Sequence, residues 1–232
     1  MITPTALPGR PGIVQRVARD LGPGSYVNLG VGIPVDVLPL LRHRPDIFVH
    51  SENGVLGMRT LDPDEATDDN MVNAGKMPVG AHEGAAFFHH ADSFAMMRGG
   101  HLDACVLGAY QASASGDLAN WSLGRPDAAN TVGGAMDLVV GAKQVWVTME
   151  HLTHQGKPRI LPECTLPLTG VGVVNRVYTD KATLHIVDGT VIVAELVGDT
   201  TFDELVDITP VPLIDRPVER EQGQALHPRQ VG

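Results

Sequence analysis

Asp46-Ile-Phe-Val-His-Ser-Glu-Asn-Gly54 is the stretch on which the reading of this chain turns. It starts as a short apolar run of the kind that forms a buried strand. It then breaks into Ser51-Glu-Asn-Gly54, a cluster of turn-forming residues with one carboxylate inside it. A strand that ends this way aims Glu52 beyond the edge of its sheet, where open α/β sheets bind ligands. On spacing alone a solvated loop glutamate is the more ordinary reading, so the rest of the chain has to decide.

With 232 residues the chain is long enough for one large domain or two small ones, and it can bury a full core. Its 43% hydrophobic content, 26 glycines and 17 prolines suit an α/β protein with many tight turns. A net charge of −10 and the lack of any Lys/Arg run argue against a nucleic-acid surface. The first ten residues have no basic segment followed by an apolar core, so they do not read as a signal peptide. No apolar run approaches the ~18 residues that a membrane span needs. The two cysteines, Cys105 and Cys164, make no disulfide framework, and the expected compartment is the reducing cytoplasm.

Residues 1–10 read as a disordered leader. Ile13, Val14, Val17 and Leu21 then share one helical face, and Gly22-Pro-Gly24 ends that helix. Residues 26–29 form a short strand that runs into Gly30-Val-Gly-Ile-Pro34. A dinucleotide fingerprint would need a third glycine where Val35 stands. What remains is a tight strand-to-helix turn with Pro34 at the first helical position. Its exposed N–H groups would suit an anion or a carbonyl, although the turn could equally be a packing device. The acidic run at 62–69 lacks the glycine and the closing glutamate of a calcium loop and reads as a solvated loop. Asn73-Ala-Gly-Lys76 is not a P-loop, but Lys76 could still contact one phosphate. The histidines at 82, 89, 90, 101, 151 and 154 have no partner at metal-ligand spacing, so no metal is expected.

Further strands are expected at 85–88, 103–109 and 144–149, with short helices near 92–97 and 135–140. Residues 116–121 read as the end of a loop. This alternation argues for an open, mainly parallel, doubly wound α/β sheet with flanking helices. Near the C-terminus, residues 182–187 and 190–196 flank Asp188-Gly189, a strong hairpin signal. Thr201 and Glu204 fit a capping box for a last helix. The chain from Pro210 onward is expected to fray, with the folded unit covering 11–213 and a flexible tail at 214–232.

Several stretches, taken in order, resemble one family. They are Asn28-Leu-Gly-Val-Gly-Ile-Pro34, Ser51-Glu-Asn-Gly-Val-Leu-Gly57, Asn73-Ala-Gly-Lys76, Ser93-Phe-Ala-Met-Met-Arg-Gly-Gly-His101, Gly116-Asp-Leu-Ala-Asn-Trp121, Gly133-Gly-Ala-Met-Asp-Leu138 and Cys164-Thr-Leu-Pro-Leu-Thr-Gly170. Together they are similar to the B (beta) subunits of 3-oxoacid CoA-transferases, over roughly residues 11 to 213. Phe87-Phe-His-His-Ala-Asp-Ser93 and Leu161-Pro-Glu-Cys164 are most similar to members that act on 3-oxoadipate, with the acetoacetate (succinyl-CoA:3-ketoacid) members next.

The resemblance implies a CoA-transferase (NagB/RpiA-like) fold and makes Glu52 a covalent nucleophile. It places Gly133 and Asn53 at the oxyanion and acyl pocket. It places Asn28, Gly30, Gly32 and Lys76 against CoA, which is a substrate in a reaction that needs no metal or redox cofactor. The A (alpha) subunit of this family carries a Gly-x-Gly-Gly-Phe segment, and the nearest stretch here is the different Glu83-Gly-Ala-Ala-Phe87. An A-subunit partner is therefore implied, in an A2B2 assembly. The sequence departs from the family at Arg59-Thr60, Ala85, Val35 and residues 122–131, near the expected pocket wall. Two rival readings stay open on sequence grounds. One is a CoA-ester hydrolase, in which water intercepts the glutamyl thioester. The other is a non-catalytic domain that binds a sugar phosphate or acyl-CoA.

Overall fold

The computed structural model describes residues 7–125, 130 and 132–215. Most of the expected leader, the rest of the expected tail and part of the divergent segment 122–131 lie outside the described residues. Helix α1 spans Gly9–Asp20 and buries Ile13, Val14 and Val17, as the 3.6-residue spacing requires. Strand β1 (Tyr26–Leu29) follows, and then a 3-10 helix over Pro34–Leu41 where an ordinary helix was expected. Pro34 opens this helix and Pro39 lies inside it, removing a second backbone donor that an α-helix would use.

Strand β2 is Phe48–Ser51, and it turns back directly into β3 (Val55–Arg59), which the sequence did not reveal. Strand β4 (Gly80–Phe87) is longer than its apolar end suggested. Helix α2 (His90–Arg98), β5 (Ala104–Gly108), helix α3 (Ala135–Gly141) and β8 (Gln144–Thr148) fall where the spacing placed them. Two short strands, β6 (Gln111–Ser113) and β7 (Leu118–Ala119), pair in the loop region after β5 and join β9 (Ile160–Leu161) in a small separate sheet. The chain closes with β10 (Val174–Tyr178), the hairpin β11 (Ala182–Val187) and β12 (Thr190–Leu196), helix α4 (Phe202–Asp207) and β13 (Leu213–Asp215). The Thr201–Glu204 capping box is present in both directions.

The main sheet runs β13-β12-β11-β10-β8-β5-β1-β2-β3-β4. Its centre, from β10 through β8, β5 and β1 to β2, is parallel, and antiparallel strands flank it. The hairpin thus extends the main sheet. Strand β13 then pairs parallel with β12 (Val191 beside Leu213), so the expected fraying from Pro210 fails for residues 213–215.

Residues of β5 alternate between two cores. Ala104 and Val106 join α1 and the 3-10 helix, while Cys105 and Leu107 join α2 and α3. Both faces of the sheet are therefore covered, which explains the apolar character of β5 and β8 at its centre. The chain leaves β1 to form β2 on one side and returns to form β5 on the other. That reversal is a topological switch point, and the crevice beyond the carboxyl end of β1 is where such sheets take ligands.

Candidate active site

Glu52 stands at this crevice. It occupies the turn between β2 and β3, closed by a hydrogen bond from the Gly54 N–H to the Ser51 carbonyl (3.0 Å). Gly54 has φ +113°, and a Cβ there would lie 2.1 Å from the Phe88 carbonyl oxygen. Only glycine meets both demands, so the turn is pinned against the end of β4. Val49 belongs to the α1 core, so the alternation of the strand sends His50 toward α2, where it meets Ser93, and Glu52 in the turn beyond lies on that side against Gly134.

Two other loops close on this turn. The Ser51 hydroxyl accepts the Ala74 N–H (2.9 Å), and the Asn53 amide donates to the Val72 carbonyl (2.7 Å). These bonds anchor the 72–78 loop, in which Lys76 adopts φ +62° and donates its backbone N–H to the Asn73 carbonyl (2.9 Å). A Cβ on Gly75 would lie 3.3 Å from Val31, so the Lys76 loop sits over the Gly30-Val31-Gly32 turn. Gly30 lies against β5, where a Cβ would be 3.0 Å from Leu107 and 3.2 Å from the Val106 carbonyl. Gly32 has φ +94° and open space around its Cα, so it shapes the turn by conformation.

The start of α3 supplies the last wall. A Cβ on Gly133 would be 3.7 Å from Glu52 Oε1, an ordinary contact, whereas one on Gly134 would be 2.8 Å from Oε2 and 3.3 Å from Phe94 Cζ. Gly134, rather than the Gly133 expected from the resemblance, is thus the glycine pressed against the carboxylate. Burial raises the Glu52 pKa above its ordinary value, while a hydrogen bond from the Gly134 backbone and the positive potential of His90 pull it partly back. The carboxylate is stripped of much of its water yet still faces a backbone donor.

The structure thus sets Glu52 against Gly133 and ties the loops that carry Asn53, Lys76, Gly30 and Gly32 to one another beside it, with two adjustments. The Asn53 amide is engaged in holding the 72–78 loop, so its first task is to shape the site. Asn28 is buried, and its amide nitrogen faces His50 Nδ1 (3.1 Å) and the His50 carbonyl (3.3 Å), leaving only its Oδ1 for any ligand. Phe94 and His90 on α2 are further neighbours of Glu52 that spacing did not identify.

An open sheet that holds a part-buried carboxylate between glycines at its switch point describes an α/β protein with an acid where such sheets take ligands. The coenzyme A transferase family profile matches residues 12–207, and the chain belongs to that family. It is 52% identical over 202 residues to the B subunit of the 3-oxoadipate CoA-transferase of Pseudomonas putida, covering 87% of this chain and 94% of that protein. The B subunit of the succinyl-CoA:3-ketoacid coenzyme A transferase of Helicobacter pylori is 42% identical over 200 residues, covering 86% of this chain and 96% of the relative. Among solved structures, an acyl-CoA transferase of Escherichia coli O157:H7 superposes with a TM-score of 0.71 at 16% identity, over 90% of this chain and 42% of that one. That likeness is one of fold. No helix among the described residues is long and apolar enough to cross a membrane.

Proposed function

We propose that this chain is the B-type half of a two-subunit transferase that moves CoA from succinyl-CoA to 3-oxoadipate through a thioester on Glu52. The observation that carries the chemistry is the setting of Glu52. It is the carboxylate at the switch-point crevice, raised in pKa by burial and fronted by a backbone donor. Desolvation makes a carboxylate a better nucleophile, and holding it against the carbonyl contributes on the order of 7–11 kcal/mol.

A Glu52 oxygen attacks the thioester carbonyl of succinyl-CoA, the C–S bond breaks, and CoA leaves as thiolate. The thiolate then attacks the glutamyl carbonyl of the resulting anhydride, releasing succinate and leaving a glutamyl-CoA thioester. The carboxylate of 3-oxoadipate repeats the two steps in reverse and departs as its CoA ester. Atoms and electrons balance without a metal or redox group, and CoA enters as substrate. In this reading the backbone N–H groups at Gly133 and Gly134 donate to the oxyanions, and the Lys76 ammonium takes a CoA phosphate. Higher identity to the relative named for 3-oxoadipate supports that acceptor over acetoacetate. Both relatives are named as one of two subunits, which supports an A-subunit partner, here read as A2B2. Val31 (72% exposed) and Val132 (65%), beside Gly32 and Gly133, mark an apolar rim for that partner to cover.

The test is to incubate the A–B complex with 3-oxoadipyl-CoA, digest it, and weigh the peptide that contains Glu52. A CoA adduct there is expected. An active complex without one refutes the mechanism. Rates with 3-oxoadipate and acetoacetate then decide the acceptor.

A further inference from the structure

Beneath the nucleophile lies a buried polar cluster that the chemistry above does not use. Asn28 on β1, His50 on β2 and Ser93 on α2 are all at most 3% exposed, in a layer otherwise built of apolar side chains. Asn28 Nδ2 lies 3.1 Å from His50 Nδ1, and His50 Nε2 lies 2.9 Å from Ser93 Oγ. The same Asn28 nitrogen faces the His50 carbonyl, which fixes it as the amide donor. His50 Nδ1 is therefore the acceptor, and the ring proton sits on Nε2 and is donated to Ser93. Burial pushes the His50 pKa down to about 4, so the ring is neutral at physiological pH and this pattern persists. Phe88 stacks near the imidazole face, with centroids 6.2 Å apart and planes 14° from parallel. Both ring nitrogens are thus engaged and one face is covered.

The place of this cluster gives it a task. Ser93 is followed by Phe94, whose ring contributes to the wall around Glu52. Glu52 lies in the turn two residues beyond His50 and faces the same helices, His50 through Ser93 and Glu52 beside Gly134 and Phe94. A bond from His50 to Ser93 therefore sets the gap between the strand that delivers the nucleophile and the helix that walls it. Buried polar groups cost stability relative to apolar packing of the same shape, but a fully paired set fixes one geometry where apolar contacts allow sliding. We propose that His50, held between Asn28 and Ser93, is a positioning residue that fixes Glu52 in its reactive placement against α2 and α3. This rests on the reading of Glu52 as the nucleophile.

The test uses the A–B complex with His50→Leu, which removes both hydrogen bonds at similar volume, and His50→Gln, whose amide can still accept from Asn28 and donate to Ser93. His50→Leu is expected to lower kcat and the rate of thioester formation on Glu52 by about 30-fold or more, since displacements below 1 Å carry costs of this order. KM for the acyl-CoA should stay within about 3-fold, because His50 and Ser93 are fully buried and Asn28 Oδ1 is left in place for a ligand, and His50→Gln should regain most of the lost rate. If His50→Leu does not fold, Ser93→Ala serves as the second variant, with an expected kcat loss of about 10-fold. A folded His50→Leu or Ser93→Ala complex that forms the thioester at the wild-type rate overturns the proposal and leaves the nucleophile intact. An active wild-type complex with no adduct on Glu52 overturns the underlying reading, and the proposal with it.

Discussion

Replacing Gly134 with alanine separates folding from catalysis at a single methyl group. The new Cβ would lie 2.8 Å from Glu52 Oε2, 3.3 Å from Glu52 Cδ and 3.3 Å from Phe94 Cζ. Carbon and oxygen settle at roughly 3.3 Å or beyond, so the carboxylate must retreat by roughly 0.5 Å. It can do so easily, since it ends a flexible side chain. Gly134 itself has φ −73° and ψ 5°, which alanine adopts without strain. The backbone entropy that alanine removes from the unfolded chain offsets its poorer capping, each effect being below about 1 kcal/mol. Stability should therefore hold, with Tm within about 4 °C. Catalysis should not. A retreat of this size from the attack position predicts a kcat loss of about 10- to 100-fold, equivalent to ~1.4–2.7 kcal/mol of barrier. The assay is steady-state CoA transfer by the reconstituted complex, with a melting curve on the same sample. Gly133→Ala, whose Cβ would make an ordinary 3.7 Å contact, is the control for displacement of the free carboxylate. A Gly134→Ala complex that turns over within about 3-fold of wild type at unchanged Tm refutes the placement of Glu52 against α3.

Gly54→Ala combines a positive φ with a Cβ 2.1 Å from the Phe88 carbonyl, so it should lose about 2–4 kcal/mol of stability. An unchanged urea midpoint would show that the turn relaxes freely. Glu52→Gln tests the pKa. Burial raises the folded value above 4.5, so the unfolded chain releases this proton at lower pH, and ionised Glu52 costs stability above its folded pKa. The variant should melt above wild type near pH ~7.5, with the gap closing as pH falls to about 4, and a gap that widens on acidification contradicts the sign. Cys105, pushed up to about 12 by burial, and Cys164, pushed up to about 11, should resist maleimide near pH ~8. Rapid labelling of Cys105 in the native state, read by peptide mass, would show that the α2–α3 core opens.

Where the chain is buried on both sides, sequence and structure agree. Strands β5 and β8 are near-continuous apolar runs, because helices cover both faces. Strand β3 was missed because Val55-Leu-Gly-Met-Arg59 follows a turn at once and has a glycine at its centre, and β4 was cut short because Gly80-Ala-His-Glu-Gly84 carries little β propensity. Pro210 and Pro212 read as an end to regular structure, yet both precede the three residues that pair, so no ladder donor is lost. At the site, motif order located Glu52, but two adjacent glycines carry no mark of which one faces the carboxylate. That depends on the rotation of α3, which only tertiary packing sets. The Asn28–His50–Ser93 cluster is similarly silent, since its members come from three distant segments and each alone reads as an ordinary polar residue.

Strand β13 has a consequence for handling the protein. Without it, the sheet would end on β12, seven residues whose Val191-Ile-Val-Ala194 stretch would offer unpaired backbone groups to any passing strand. Leu213–Asp215 covers that edge with a strand too short to serve as a template, and the sequence goes on with Arg216-Pro217, a charge and a residue without an N–H. A preparation trimmed at Pro210 should therefore self-associate through its uncovered margin, with growing light scattering on concentration, while one trimmed after Pro217 should stay monodisperse.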